Sequence, residues 1–289
     1  MDDFDSAAVP LVLETSPITF DSIIGQKDAI KKLKDLSTVM NNPDFFKDWP
    51  IKRPKAYAFT GPSGCGKTET LRAFAHQVDC PYITLTYEQI AGPLYGETTK
   101  KLESFKNQVK GLLKEHSNLI VLIDEADGIF GNRNGLTVHH VDKQIITFFL
   151  RWLDGLDDSD EGLIFIATSN AWETVDPALR RGGRFSEVKF KPLTPLELVE
   201  AFRVKAESTG ARVSRDLFSP DLNYANGMLD SLTGADVNYL IETLVFEKAL
   251  ACFEDRDLPK LIGVEDLTRS ITKLNQNKDK SARSMGFGR

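Results

Sequence analysis

The chain has 289 residues, a formal charge of −6 and 41% hydrophobic residues, enough for about two ordinary domains with buried cores. No run approaches the roughly 18 apolar residues of a membrane span, Met1-Asp2-Asp3-Phe4-Asp5 carries the wrong charge for a signal or transit peptide, and the acidic balance gives no broad basic footprint for nucleic acid. The expectation is a cytoplasmic protein with neither a membrane nor a nucleic-acid partner, whose odd, widely spaced Cys65, Cys80 and Cys252 are reduced and structural.

Residues 1–19 mix acids, Pro10 and Pro17 with a short apolar run at 9–13, and read as a tail or a docking arm. The ordered part is expected from Phe20, where Phe20-Asp21-Ser22-Ile23-Ile24-Gly25-Gln26 leads into a helix with Ile30, Leu33 and Leu36 on one face. Asn41-Asn42-Pro43 ends it. A short buried strand over 56–60 follows, then Gly61-Pro62-Ser63-Gly64-Cys65-Gly66-Lys67-Thr68, then a helical pattern carrying Leu71, Phe74 and Ala75. This Gly-x-x-x-x-Gly-Lys-Thr run therefore has the strand-loop-helix context that a phosphate-binding loop requires. Glycines let successive backbone N–H groups curl around a phosphate, and the following helix adds unpaired donors and the positive end of its dipole. Lys67 is placed to reach the β and γ phosphates of ATP, and Thr68 to set its hydroxyl on Mg²⁺.

A second strand is expected over 81–86. The stretch 89–99, with two glycines and a proline around Leu94-Tyr95-Gly96-Glu97, reads as a loop or helix edge, and helical spacing resumes through Leu102, Phe105, Val109 and Leu112. Leu119-Ile120-Val121-Leu122-Ile123 is an apolar run of strand length that stops abruptly at Asp124-Glu125. In an open α/β sheet ligands bind at such strand tips, so Asp124 can orient hydrated Mg²⁺ and Glu125 can polarise the water that attacks a γ-phosphate. The plainer alternative is a solvated turn. Ile145, Ile146, Phe148, Phe149, Trp152 and Leu153 form a broad apolar helix face that reads as core. A further strand over 163–167 ends in Thr168-Ser169-Asn170, where the Asn170 amide can hold the attacking water or the γ-phosphate, or be only a turn residue. Asp176-Pro177-Ala178-Leu179-Arg180-Arg181-Gly182-Gly183-Arg184-Phe185 then packs three arginines around two glycines. A guanidinium donated to a neighbouring subunit can stabilise a phosphoryl-transfer transition state; a solvated basic turn is the alternative.

From Leu193 the pattern is helical. Thr194-Pro195-Leu196-Glu197 is a capping box with proline in the first turn, and Thr233-Gly234-Ala235-Asp236 opens a helix with Val237, Leu240, Ile241, Leu244 and Val245 on one face. A last helix runs through Leu267, Ile271 and Leu274, and 276–289 reads as a polar, disordered tail.

The order of phosphate loop, apolar strand ending Asp-Glu, Thr-Ser-Asn and Asp-Pro-Ala-Leu with spaced arginines resembles the AAA family of AAA+ ATPases, over about residues 20–274. The resemblance implies an α/β P-loop NTPase fold over 20–192, a parallel sheet with helices on both faces, and a small all-helical lid over 193–275. It makes 61–68 the Walker A loop, Asp124-Glu125 the Walker B pair, Asn170 sensor 1, and Arg181 and Arg184 the arginine fingers, while Arg180 falls where the family places none. Leu94-Tyr95-Gly96 resembles the aromatic pore loop that grips polypeptide, Leu153-Asp154-Gly155-Leu156 the loop that signals between subunits, and Ile23-Ile24-Gly25 the backbone that brackets adenine. In the family Gly234-Ala235 lies against adenine. ATP and Mg²⁺ are the implied ligands, and the implied assembly is a homo-hexamer acting on protein substrates, directly or through an adaptor. Departures are Ala171-Trp172 after Asn170, Gly182 where proline is common, the unusual Cys65, and the near absence of chain before Phe20, where the family carries a recruiting domain. Two functions follow: an ATP-driven protein unfoldase or remodelling motor, favoured by Tyr95, and a nucleotide-dependent assembly switch that binds a folded partner without threading it. A clamp loader or replication initiator is disfavoured by the acidic charge and by Gly234-Ala235 in place of an arginine.

Overall fold

The computed structural model describes residues 9–49, 54–92, 96–131, 140–156, 160, 162–181, 183–210, 212–218, 232–258 and 261–285. Backbone packing separates two units, Met1–Lys191 and Pro192–Arg289. The first is built on a six-stranded sheet of β1 (Leu13–Glu14), β2 (Ala56–Thr60), β3 (Tyr82–Leu85), β4 (Leu119–Ile123), β5 (Leu163–Ser169) and β6 (Ser186–Lys189). Their order is β1-β3-β4-β5-β2-β6, and all neighbours are parallel except β1, which runs antiparallel to β3 at the edge.

Strands buried on both faces read as continuous apolar runs, and alternate residues then feed opposite sides of the sheet. On one face Ala56, Ala58, Leu119, Val121, Leu163 and Phe165 join a single cluster. Helices α5 (Glu97–His116) and α7 (His140–Asp154) cover that face through Leu102, Phe105, Val109, Ile145, Phe149 and Trp152. Trp152 is its hub, meeting Phe165 edge-on at 4.9 Å and Phe105 at 5.9 Å. On the other face Tyr57, Phe59, Ile120, Leu122, Ile164 and Ile166 pack with α1 (Lys27–Asn41) and α3 (Lys67–Gln77) through Leu33, Leu36, Leu71 and Phe74. The sheet with helices on both faces is the α/β architecture that the family resemblance implied, with β1 as an antiparallel edge.

The segment expected as a tail behaves differently from Val9 onward. Val9 is buried in the sheet core, and β1 pairs Leu13 with Ile83 and Glu14 with Tyr82. Glu14 accepts hydrogen bonds from the Tyr82 hydroxyl at 3.0 Å and Thr84 Oγ1 at 3.3 Å, so a carboxylate caps the outer edge of β3. The physical gain is a covered strand edge, which would otherwise offer unpaired N–H and C=O groups.

The second unit contains α9 (Pro195–Ser208), α10 (Gly234–Glu254) and α11 (Val264–Met285) around Leu198, Phe202, Val237, Leu240, Ile241, Leu244 and Ile271. The expected Thr194–Glu197 capping box forms, and Thr233 and Asp236 make a second one at the start of α10. The backbone of α11 continues through the polar stretch read as a tail, to Met285. No helix among the described residues is long and apolar enough to cross a membrane.

Candidate functional site

Register alone brings the chemistry together. Thr60 of β2 lies opposite Ser169 of β5, and Ile123 of β4 opposite Ala167 of β5. The loop after β2, the carboxylates after β4 and Asn170 after β5 therefore emerge side by side at the carboxyl ends of three adjacent parallel strands. The connection from β2 runs toward β3 on one side of the sheet, whereas the connection from its neighbour β5 runs toward β6 on the other, which opens the kind of crevice where open α/β sheets bind ligands.

The loop needs its glycines at two places in particular. Gly61 has φ +149°, and a Cβ there would lie 2.3 Å from the Phe190 carbonyl oxygen, so only glycine lets the loop leave β2 beside the end of β6. Gly66 has φ +86° and starts α3, leaving that helix's first N–H groups facing the loop. Lys67 is buried, and its ammonium donates to the carbonyls of Gly61 at 2.7 Å and Pro62 at 2.8 Å and to Asn170 Oδ1 at 2.7 Å. Burial pushes its pKa below the usual lysine value, opposed by Cys65, Asp127 and Asp124, which places both carboxylates within electrostatic reach of the cation. The Cys65 thiol is itself pushed up by burial.

Asp124 and Glu125 are held through a buried hydroxyl. Thr168 Oγ1 donates to Asp124 Oδ1 at 2.5 Å and accepts the Glu125 backbone N–H at 3.1 Å. Glu125 has φ +50°, left-handed backbone that costs a non-glycine residue roughly 1–2 kcal/mol, and its side chain is exposed. Asp127, on the first turn of α6 (Ala126–Phe130), accepts the Asn170 backbone N–H at 3.2 Å. Sequence reasoning gave no role to Thr168 or Asp127. The hydroxyls of Thr168 and Ser169 at the end of the otherwise apolar β5 are the signal that could have drawn attention to Thr168.

No group of three or more His, Cys, Asp or Glu suited to a metal occurs among the described residues. Asp124 and the Thr68 hydroxyl are hard oxygen donors beside a phosphate loop, which fits Mg²⁺, an ion that keeps several waters and takes substrate phosphates as ligands.

The arginines divide. Arg184 is tied within its own chain: Nε and Nη2 donate to Asp154 Oδ1 and Oδ2 at 2.7 and 2.8 Å, and Nη1 to the Ala178 carbonyl at 2.7 Å. These hydrogen bonds hold the Asp154 carboxyl below the usual carboxylate range. Arg180 Nε donates to the Val175 carbonyl at 2.8 Å. The Arg181 side chain is exposed and makes no hydrogen bond or ion pair among the described residues.

Ile23 and Ile24 are half-buried between the turn Phe20–Ser22, which packs on α3, and Gly25 at φ +71°. Gly234 and Ala235 form the first turn of α10 in the second unit. Gly96, at φ +81°, starts α5, whereas Leu94 and Tyr95 lie outside the described residues.

Residues 57–193 match the model of the ATPase family associated with various cellular activities (AAA). The chain is 29% identical over 272 residues to 26S proteasome subunit RPT4 of Saccharomyces cerevisiae, covering 92% of this chain and 58% of that protein. It is 27% identical over 274 residues to the proteasome-activating nucleotidase of Pyrococcus furiosus, covering 93% and 65%. It is 28% identical over 256 residues to protein CdcH of Halobacterium salinarum, covering 88% and 32%. The chain thus spans between about a third and two thirds of the length of these relatives.

Proposed function

Since the chain belongs to the AAA family of ATPases, we propose that it hydrolyses ATP at the loop 61–68 and uses the turnover, as a homo-oligomeric ring, to unfold or remodel protein substrates. The observation that carries the reading is the convergence of Lys67, Asn170, Asp124 and Glu125 at three neighbouring strand tips. The loop amides and Lys67 bind the triphosphate. Glu125 accepts a proton from water as the water oxygen attacks the γ phosphorus, and ADP departs with the electrons of the broken P–O bond. Asn170 holds the attacking water or a γ oxygen. When bound to Asp124 and Thr68, Mg²⁺ supplies neutralisation of charge on the β and γ phosphates. Arg181 stabilises the spread charge in a neighbour's site.

A polypeptide substrate is supported by relatives named as proteasome subunits and proteasome-activating nucleotidases. Gripping by Leu94-Tyr95-Gly96 in a hexameric channel is the finer part of the reading and rests on the family resemblance. The test is ATP turnover with and without an unfolded polypeptide. Stimulation by any unfolded chain supports remodelling. Response to one folded partner alone would replace it with the assembly switch, and absence of turnover in the wild type would reject both.

A further inference from the structure

We propose that the Thr168 hydroxyl is a positioning residue, a single clamp that sets the Asp124 carboxylate for the cation and the Glu125 backbone for water activation. The inference rests on the reading of Asp124 as metal ligand and Glu125 as base.

A threonine hydroxyl has one proton and two lone pairs. Here the lone pair receives the Glu125 N–H at 3.1 Å, so the proton goes to Asp124 Oδ1, at 2.5 Å. That polarity makes Asp124 Oδ1 the acceptor. One carboxylate oxygen is thereby occupied and oriented. The same atom anchors the amide of the residue whose backbone is left-handed, where a glutamate has no conformational preference to keep it. Both bonds originate from a side chain that is only 3% exposed, on the central strand β5, next to the end of β4. Solvent therefore cannot replace the hydroxyl without entering the sheet.

The register explains why one atom reaches both targets. Ala167 pairs with Ile123, so the next residue on β5 stands beside the first residues beyond β4. Ser169, one position on, points to the opposite face by strand alternation and donates nothing to the carboxylates; its Oγ accepts the Ala171 N–H at 3.1 Å. The clamp is therefore specific to position 168.

The comparison is Thr168→Val, which keeps the shape and removes both bonds, against Thr168→Ser, which keeps the hydroxyl. In nucleotide-free protein, Glu125 amide exchange is expected to rise at least about tenfold in Thr168→Val and to stay near wild type in Thr168→Ser. Binding of a non-hydrolysable fluorescent ATP analogue should need about 10- to 100-fold more Mg²⁺ for half-saturation in Thr168→Val, with affinity in EDTA unchanged and Thr168→Ser restoring the wild-type requirement. Turnover should fall in the same range through kcat. A Thr168→Val protein with wild-type Mg²⁺ requirement and wild-type Glu125 exchange overturns the clamp, as does Thr168→Ser failing to restore either. If Thr168→Val does not fold, Thr168→Ala carries the same comparison. A wild type without Mg²⁺-dependent nucleotide binding would reject the ATPase reading instead, and the Glu125 exchange data would still decide whether Thr168 holds that backbone.

Discussion

Lys67 donates to the side-chain carbonyl of Asn170 across 2.7 Å, joining the phosphate loop after β2 to the tip of β5. With the Gly61 and Pro62 carbonyls, this gives a buried ammonium three oxygen acceptors from its own chain. An entering phosphate competes with all three. In the proposed reaction the pair would link nucleotide arrival to the release of Asn170, which could then hold the attacking water or a γ oxygen.

Lys67→Ala is expected to abolish nucleotide binding in calorimetry. Asn170→Ala should keep binding, because the phosphates still find Lys67, yet lower turnover by about a hundredfold. It should also cost about 1.5–3 kcal/mol of stability in nucleotide-free protein, since it removes one hydrogen bond from a buried charge. Glu125→Gln should bind ATP and turn it over about 10²- to 10⁴-fold more slowly. Turnover of Glu125→Gln at the wild-type rate would show that the proton acceptor lies elsewhere.

The two candidate fingers are expected to separate. Arg184 is engaged by Asp154 and Ala178, and a bidentate arginine-carboxylate pair is geometrically defined even at a surface. Arg181 has no such partner among the described residues, so the proposed donation to a neighbouring subunit would fall to it. Arg181→Ala should lower turnover about 10³- to 10⁵-fold with ATP affinity retained. Mixing it with Lys67→Ala subunits should recover part of the activity, because some interfaces regain an intact loop facing an intact arginine. Arg184→Ala should instead be matched by Asp154→Ala, with the double variant no worse than either single one. Additive losses in that cycle would mean that Arg184 acts beyond the pair.

Much of this site was legible because its parts are local. The glycine spacing of 61–68, the five-residue apolar run ending at Asp124 and the strand ending at Asn170 each announce themselves in sequence, and parallel strands carry their loops to one end of the sheet. What escaped notice depends on pairing across the chain. A two-residue strand such as Leu13–Glu14 has no periodicity to detect, and only β3 gives it a partner. Thr168 looks like one polar residue at a strand end until the β4–β5 register sets it beside Asp124. The engagement of Arg184 likewise joins residues 30 positions apart, and nothing in the spacing of three arginines ranks them.

The cysteines give a pH prediction. Burial pushes the Cys80 thiol from the usual value of 9.0 up to about 12. A thiol held neutral in the folded state stabilises it fully below about pH 9, and that contribution is lost as pH rises toward 12, because the unfolded thiol ionises first. At about 1.4 kcal/mol per pKa unit, the loss is at most on the order of 4 kcal/mol. Stability from denaturant melts should fall less between pH 8 and 11 with Cys80→Ala than with wild type. In native protein at pH 8, iodoacetamide should modify half-buried Cys252 and spare buried Cys65 and Cys80, whereas denatured protein should label at all three.

The last prediction separates a threading motor from an assembly switch. It concerns Tyr95, between Leu94 and Gly96, immediately before a helix that Gly96 starts in the left-handed region. Glycine at that position adopts φ +81° without the strain a bulkier residue would meet. An aromatic ring presented to a channel grips polypeptide by buried area, without regard to sequence, and needs its flat apolar face more than its hydroxyl. Tyr95→Phe should therefore keep ATP-dependent unfolding of a tagged substrate, while Tyr95→Ala should keep assembly and basal ATP hydrolysis and lose unfolding. Basal hydrolysis is the internal control, because the site at Lys67, Asp124 and Glu125 does not include the ring. If Tyr95→Ala unfolds substrate at the wild-type rate, threading through this segment is wrong and a switch acting on a folded partner becomes the better account; if it loses basal hydrolysis as well, the segment serves the ATP site rather than the substrate.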